Sequence, residues 1–490
     1  MKYLHSNPKV SLFQSSLLLL ASTLIIIIRY PSFILKPRMW GEESLYYETF
    51  FSNPNILDGF DALIYPAYYV LISRIVGFLA SLVDPENAAT VTTICGLIVL
   101  SIPLMIIFFG NSKYWSTMYQ KVFLSAFLIF SCSTGEIWMN STNVGFIMPV
   151  VTFLILMDEN PGGYLKRFLY SLCLFLAILT GPISLLMSPF FLYRFIQRKE
   201  PVYLIYCTLF LVFGLLQISY LLVVSSLEVP IGNLSRGIFN PISFTESYIY
   251  WISPNIIFPI FGYFLATAFR TFALLSHQNP EQLISLSELL PFNAGAIVEL
   301  LIYIAPVLII FISVITFIIY IYFFKRSSVD EKVYMLILFA YLSPLFTVLS
   351  LGGHGGYRYS YICSFILLFY LFQRFIFLSS GLERSFIKSA ISISLIVGVL
   401  EYYPRVISFS PDFRTGEEPE WPNWKNEVIT WKNNPSYKVK IWPYLREGTS
   451  LWPERVDVWS VDLSNDKYWD DVGNHKYSKE LADYLQTSDD

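Results

Sequence analysis

The chain has 490 residues, of which 55% are hydrophobic, 18% aromatic and only 14% charged, and its mean hydropathy is +0.54. A soluble domain carries about 25% charged residues, so this composition excludes a soluble protein and indicates a polytopic membrane protein. The formal net charge of −3 argues against a nucleic-acid partner. The five cysteines lie in or beside apolar runs without paired spacing, which indicates neither a zinc site nor a disulfide framework.

The first long apolar run, Leu12 to Ile34, has the length of a membrane-spanning helix. No small-residue cleavage site follows it, so we interpret the run as an uncleaved signal anchor. The stretch from Arg38 to Tyr47 comes directly afterwards and contains two adjacent carboxylates, Glu42 and Glu43. Carboxylates among aromatic and cationic side chains at a membrane boundary are placed where pKa values and ligands are commonly tuned. The alternative is a solvated loop with interface anchors.

Further apolar runs follow along the chain, and we predict that most of them cross the membrane. They lie at about 87–110, 122–138, 143–157, 168–182, 183–197, 202–226, 297–323, 333–350, 360–378 and 388–404. The Thr180-Gly181-Pro182 stretch is predicted to be a turn between two closely paired spans.

The basic residues of successive short loops predict the topology of the membrane part. They are Lys113, Lys121, Lys166, Arg167, Arg194, Arg198, Lys199, Lys325, Arg326, Lys332, Arg374, Arg384 and Lys388. These residues share one face with the amino terminus only if 67–83 and 248–273 do not cross the membrane. The positive-inside rule then predicts about eleven transmembrane helices, a cytoplasmic amino terminus and an extracytoplasmic carboxyl terminus. Residues 67–83 become an amphipathic helix on the outer surface.

We predict two regions on this basis, an all-α membrane domain at 1–403 and a small extracytoplasmic tail at 404–490. The tail contains seven of the eleven tryptophans. Aromatic walls suit sugar rings, but a structural core is the more common role of such residues. The same outer face receives the two carboxylates, the stretch 136–140, the long loop 225–299 and the glycine-rich stretch 351–359.

Three groups of outer-face residues could carry chemistry. One carboxylate of the Glu42–Glu43 pair, kept ionised by Arg38 or Lys36, could accept a proton from an attacking hydroxyl as a general base. Four glycines surround His354 and precede Tyr357 and Arg358, and they permit the close backbone approach seen in anion-binding loops. Arg358 could hold a phosphate with its planar fork, or it could be a snorkelling anchor. Arg236, Arg270 and His277 in the long loop form a weaker third group.

The order of these features resembles the GT-C superfamily of membrane glycosyltransferases. The resemblance rests on a first span, an acidic residue just after it, and a Tyr-Pro-x-Tyr-Tyr-x-Leu helix lying outside the membrane. Met39-Trp40-Gly41-Glu42-Glu43, followed by the stretch 67–74, is similar to a bacterial branch with a Trp-x-Glu-Asp-Gly motif. Glu43 stands where that motif has Asp, and Ser44 stands where it has Gly. The similarity covers about 400 residues of the membrane part, and its motifs are short.

This resemblance implies an inverting transfer of sugar from a polyprenyl-phosphate donor to a glycan, lipid or protein acceptor on the outer face. Glu42 and Glu43 match the acidic motif and would be catalytic. Arg358, Arg74, Arg38 and His354 would bind the donor phosphate, and Trp40, Tyr46 and Tyr357 would contact the sugar or the acceptor. The expected location is the bacterial inner membrane. The sequence does not decide metal dependence: the two carboxylates could bind a divalent cation, but no third ligand is evident.

Three other classes of protein remain open from the sequence. A transporter or flippase for lipid-linked sugars would also need outer-face cations, but it should place charges within its spans. A polysaccharide polymerase or ligase would rely on the large outer loop and leave the carboxylate pair without a role. A structural or assembly protein would use the tryptophan-rich tail to bind a partner.

Overall fold

The computed structural model describes residues 11–29, 31–52, 56–61, 68–130, 137–158, 162–226, 257, 259–261, 332, 336–337, 360–377, 381–408, 423–441 and 460–461. These residues are mostly helical, which confirms the predicted helical class. Three helices are long and apolar enough to cross a membrane, namely Leu12–Arg29, Pro85–Phe109 and Pro201–Tyr220. A fourth is added if the bent pair Tyr164–Leu179 and Pro182–Arg198 forms one span. The total of eleven spans stays a prediction.

Each predicted apolar run that the structure describes contains a helix, whereas the runs 297–323 and 333–350 lie outside the described residues except for 336–337. The described helices are α1 (Leu12–Arg29), α2 (Pro31–Leu35), α3 (Gly41–Ser52), α4 (Ile56–Asp61), α5 (Leu71–Ser81), α6 (Ala88–Phe109), α7 (Met118–Phe130), α8 (Val144–Met157), α9 (Tyr164–Leu179), α10 (Ser188–Arg198), α11 (Pro201–Ser226), α12 (Ser360–Phe377), α13 (Leu382–Ser408) and α14 (Trp424–Asn433). Short 3-10 helices occupy Pro85–Asn87, Lys113–Trp115 and Pro182–Met187. Strands β1 (Val439–Lys440) and β2 (Ser460–Val461) pair antiparallel, with Val439 opposite Val461.

The chain forms two compact units. The first comprises residues 1–125, 134–234 and 402–490, and the second comprises 126–133 and 235–401. Within the second unit, the Tyr361 hydroxyl donates a hydrogen bond of 3.2 Å to the Leu128 carbonyl, so α12 packs along the end of α7. The described part of the candidate site, around Glu43, lies in the first unit. The predicted boundary at residue 403 stays a prediction.

Contacts within the first unit show that α6 and α8 run in the same direction. The start of α6 and the segment before α8 meet where Gly96 approaches the backbone of Met139 and Asn140. At their far ends, the Ser112 hydroxyl donates to the Met157 carbonyl at 2.7 Å. At about 1.5 Å of rise per residue, the two ends of α6 are about 30 Å apart.

Basic side chains collect at the far end of this pair of helices. The Lys121 ammonium donates to the carbonyls of Phe108 and Gly110, and the Lys166 ammonium forms an ion pair with Asp158 at 2.6 Å. The hydroxyl of Ser15, near the start of α1, also donates to the Phe108 carbonyl at 2.9 Å. Basic loops and the beginning of the first apolar helix therefore share one end of this unit.

The outer helix predicted at 67–83 is shorter in the structure and begins four residues later, at Leu71. Because α5 has 11 residues, it lacks the length of about 20 residues that a spanning helix needs. It packs closely against α3 at Gly77, where an added Cβ would lie 2.8 Å from the carbonyl carbon and oxygen of Tyr46. Glycine is required there because the two backbones touch.

The turn predicted at 180–182 is confirmed. Helix α9 ends at Leu179, Gly181 has a φ of 154°, and Pro182 begins the 3-10 helix that leads into α10. The chain bends by 120° at this point. Proline at the first helical position and glycine just before it favour such a break, because proline cannot continue the α9 hydrogen-bond ladder.

Candidate functional site

Glu43 is the centre of a buried polar junction at the start of α3. Its side chain is only 2% exposed. One carboxylate oxygen accepts hydrogen bonds from the backbone amide and, at 2.9 Å, from the hydroxyl of Ser141. The other accepts from the Trp40 amide at 2.9 Å. The Thr92 hydroxyl on α6, which donates to the Ala89 carbonyl at 3.1 Å, lies close enough to Glu43 to influence its pKa, so α3, α6 and the segment before α8 meet at this carboxyl group.

The hydrogen bond to Trp40 explains why α3 begins where it does. The Trp40 carbonyl accepts the first helical hydrogen bond, from Ser44 at 3.2 Å, which makes Trp40 the N-cap residue. Glu43 is then the third helical residue, and its side chain reaches back to the N-cap amide as in a capping box. Glu42 is the second residue of α3, in the turn that this hydrogen bond fixes. The side chain of Glu42 lies outside the described residues.

The junction surrounds Glu43 with neutral donors. Burial raises the pKa of its carboxyl group above the usual value of 4.5, while hydrogen bonds from Ser141 and Trp40 and the nearby Thr92 hydroxyl lower it in part. The charged form is disfavoured because the surroundings cannot replace its hydration. A carboxyl group in this position is best suited to joining α3 to the segment 137–143, and its protonation depends on its burial and on these hydrogen bonds.

The segment 137–143, which contains Ser141, is held by contacts with α5 and α6. The Ser73 hydroxyl of α5 donates to the Ser141 carbonyl at 2.7 Å, and the Asn143 amide donates to the Asn140 side chain at 2.9 Å. Gly96 admits the segment, because an added Cβ would lie 2.5 Å from the Met139 carbonyl carbon. Contacts with α5 and α6 therefore fix the position of Ser141 independently of its hydrogen bonds to Glu43.

Two of the predicted phosphate-binding cations are buried in the first unit. Arg74 is 1% exposed, donates through Nη1 to the carbonyls of Gly59 and Phe60 at 3.0 Å each, and lies over the Tyr69 ring at 4.6 Å. Arg38 is 8% exposed and its guanidinium lies 4.1 Å from the Phe33 ring centroid. Arg74 thus holds the end of α4 against α5, and its role towards a phosphate stays a prediction.

Of the three aromatic residues predicted to contact a sugar or an acceptor, the structure describes Trp40 and Tyr46. Trp40 and Tyr46 are both buried, and Tyr46 packs with Val70 against Leu45 and Tyr68. The remaining predicted site residues lie outside the described residues; they are His354, Tyr357 and Arg358. Whether the chain brings them to Glu42 stays a prediction.

Among the residues that the structure describes, no group of three or more His, Cys, Asp or Glu side chains could hold a metal ion. The divalent cation considered from the sequence stays a prediction.

Sequence reasoning missed the partners that make Glu43 a junction. Ser141 and Thr92 lie far from Glu43 in the chain, and an isolated Ser or Thr beside an apolar run gives no sign of such a contact. It also gave no role to Arg29, which ends α1, is buried and lies 4.4 Å from the Trp138 ring centroid. The Arg29 position was visible in the sequence, and it ties α1 to the same segment 137–143.

A second buried polar group, at the basic end of the first unit, was also missed. Asp158 is 1% exposed, accepts from the Tyr170 hydroxyl at 2.6 Å and pairs with Lys166. It fastens the end of α8 to the start of α9. The polar residue closing the apolar run 143–157 was the available signal. This group lies at the opposite end of α6 and α8 from Glu43.

The geometry provides a rigid turn with two carboxylates at the end of the first apolar helix, away from the basic loops. Such a turn can hold the backbone of Glu42 at a fixed position, and a general base requires a fixed position. Searches of protein-family models, of curated proteins and of solved structures gave no match to this chain.

Proposed function

We propose that this protein is an inverting membrane glycosyltransferase of the GT-C type. It transfers a sugar from a polyprenyl-phosphate donor to a glycan, lipid or protein acceptor on the outer face of the bacterial inner membrane. The observation that carries the proposal is the clamp on Glu43, which fixes the first turn of α3 and so the backbone position of Glu42. The family resemblance of the motif at 39–43 supplies the reaction.

The polarity of the first unit supports the topology in this proposal. Lys121 and Lys166 lie at one end of the α6–α8 pair and Glu43 at the other. By the positive-inside rule the basic end is cytoplasmic, so the α3 turn faces outwards. Polyprenyl-phosphate sugars present their head groups at that surface.

In the proposed reaction, Glu42 takes the proton of the acceptor hydroxyl as its oxygen attacks the anomeric carbon of the donor sugar. The bond from that carbon to the phosphate oxygen breaks, and the phosphate leaves as an anion without a general acid. Attack from the face opposite the phosphate inverts the anomeric configuration. Arg358 is proposed to hold the phosphate through its planar fork, and Arg74, Arg38 and His354 are the other cations that the family resemblance assigns to the donor.

The location of charge in the candidate spans favours an enzyme over a transporter. Among the residues of the three spans, the charged ones are Arg29 and Glu86, and both lie at a helix end. A substrate pathway through the membrane would need polar or charged groups at mid-depth. Chemistry at one surface needs them at the ends.

The test compares sugar transfer at saturating donor in three variants. Glu42→Gln should fold and bind donor but transfer about 100- to 10,000-fold more slowly, which is the usual contribution of a general base. Glu43→Gln should slow transfer less, because the Glu43 carboxyl group is buried and hydrogen-bonded to Trp40 and Ser141 and so is not placed to take the acceptor proton. Asp84→Asn removes an exposed carboxylate just before Pro85 and should leave the rate unchanged.

The outcomes separate the roles of the two glutamates. An inactive Glu43→Gln with an active Glu42→Gln would exchange their assignments. Wild-type rates in both variants would refute a base in this stretch. Arg358→Lys keeps the charge but loses the fork, so donor binding should weaken by about 1–3 kcal/mol; unchanged donor affinity in Arg358→Lys and Arg358→Ala would remove Arg358 from the site.

A further inference from the structure

Helix α14, in the carboxyl-terminal region, packs against α3 and against the 3-10 helix that leads into α6. Trp424, its first residue, is 2% exposed, and its indole N–H donates to the Pro85 carbonyl at 2.6 Å. Pro85 begins the short 3-10 helix that leads into α6. The edge of the Trp424 indole also meets the Tyr47 ring, with centroids 5.9 Å apart. One side chain thus contacts α3 and the entry to α6.

These two elements are the ones that meet at Glu43. Tyr47 is one helical turn after Glu43 in α3, and Thr92, which lies beside Glu43, is in the second turn of α6. Residues one turn apart share a helix face. Trp424 therefore fixes the distance between α3 and α6 from one side, while Glu43 fixes it through its own carboxyl group.

The packing around Trp424 includes the residues on both sides of the carboxylate pair. A single buried cluster contains Met39, which precedes Trp40, together with Tyr47, Trp424 and Val428. The cluster is completed by small residues of α5 and α6 and by two residues of the tail; these are Ala80, Ala88, Ala89, Val439 and Ile441. Alanines at three positions leave room for the indole. The tail thereby packs against the chain just before Glu42 and just after Glu43.

Further contacts hold the rest of α14 in register. The Trp431 ring lies edge-on to Phe51 near the end of α3, with centroids 6.3 Å apart. The Lys432 ammonium pairs with Glu86 at 2.8 Å, in a pair that is partly exposed and so contributes little by itself. Helix α14 therefore follows α3 from Tyr47, in its second turn, to Phe51, near its end.

We propose that Trp424 is a positioning residue of the outer-face site, and that the tail is a clamp on which the placement of Glu42 depends. This inference rests on the proposed glycosyltransferase function. Trp424 acts through α3, since its own contacts are with Tyr47 and Pro85. Its loss should lower the rate of the chemical step more than the affinity for donor, because a small displacement of a catalytic group slows the reaction steeply.

The experiment uses the full-length protein in detergent or nanodiscs, with hydrogen exchange of α3 and sugar transfer as parallel readouts. In Trp424→Ala, backbone amides of 41–52 should exchange faster, and kcat should fall by about 10- to 100-fold with KM for donor nearly unchanged. Trp424→Phe keeps a ring against Tyr47 but loses the hydrogen bond to Pro85, so its kcat should be intermediate. Ile429→Ala, on the exposed face of the same helix, is the matched control and should behave as wild type.

Unchanged exchange and unchanged kcat in Trp424→Ala would overturn the clamp, as would equal losses in Ile429→Ala. If Trp424→Ala does not fold, the decision passes to Trp424→Phe, where wild-type exchange and kcat overturn the proposal. A wild-type protein that transfers no sugar would refute the proposed function. The exchange of α3 then decides the clamp alone, with faster exchange supporting it and unchanged exchange overturning it.

Discussion

The carboxyl group of Glu43 and the backbone of Ser141 are joined although 98 positions separate them in the chain. Glu43 receives both the amide and the hydroxyl hydrogen of Ser141 on one oxygen. The first turn of α3 is therefore fixed by a segment that folds between two apolar helices much later in the sequence. Disturbing either residue should affect both elements.

Removal of the Glu43 side chain should cost more stability than removal of the Ser141 hydroxyl. Glu43→Ala leaves the buried amides of Trp40 and Ser141 without their acceptor, at about 1–3 kcal/mol for each unsatisfied group. Ser141→Ala removes only one donor, and we expect a loss of about 1 kcal/mol. Thermal or denaturant unfolding in detergent measures both.

Ser112→Ala provides the control for that comparison. Its hydroxyl donates to the Met157 carbonyl at the basic end, so a similar small loss of stability is expected there. Sugar transfer should fall in Ser141→Ala and stay at the wild-type rate in Ser112→Ala. Equal effects on transfer would mean that activity follows global stability and that the Glu43 junction has no special importance.

The stability that depends on Glu43 should fall as the pH rises. Burial raises the pKa of this carboxyl group above 4.5 in the folded protein, so the folded state binds the proton more tightly than the unfolded state. The resulting stabilisation is complete below about pH 4.5 and is lost as the pH rises through the folded-state pKa. The melting temperature of wild type should therefore decline relative to that of Glu43→Gln over this range. If the melting temperature of wild type minus that of Glu43→Gln stays constant or increases as the pH rises, burial is not the dominant cause of the pKa shift.

Gly96→Ala should be strongly destabilising. The new methyl group would lie 2.5 Å from the Met139 carbonyl carbon and 2.6 Å from the Asn140 amide nitrogen. Since backbone atoms cannot move aside cheaply, we expect a loss of about 1–3 kcal/mol or more. Gly163→Ala is the control, because nothing lies within 4 Å of its added Cβ. If the two variants unfold alike, the close contact between α6 and the segment 137–143 is wrong.

Cysteine labelling tests which end of the first unit faces outwards. In intact cells, a cysteine at Asn426 on the exposed face of α14 should react with an impermeant thiol reagent. A cysteine at Gly163, exposed beside Lys166, should react only after the cells are opened. The sequence predicts the same result for a cysteine at Ser464 outside and one at Ser327 inside. Reversed labelling of Asn426→Cys and Gly163→Cys would overturn the topology.

Composition and periodicity predicted the helical class and the break at Gly181, because the membrane demands long apolar helices and proline interrupts them. The acidic pair could be placed beyond the end of the first helix because it closely follows the first apolar run in the sequence. The length of α5 and the burial of Arg74 were not predictable, since both depend on which backbones approach one another. The contacts of Glu43 with Ser141 and Thr92 are also tertiary contacts, and no local sequence pattern around Ser141 or Thr92 predicts them.

The hydrogen bond between Trp424 and Pro85 joins positions 339 residues apart, and this separation has a consequence for biosynthesis. Helices α1 to α6 are synthesised long before Trp424. The contacts of Trp424 with Tyr47 and Pro85 must wait for that late segment, as contacts distant in sequence form slowly. A chain that ends before residue 424 would therefore lack these contacts on α3 even when its earlier helices are in place.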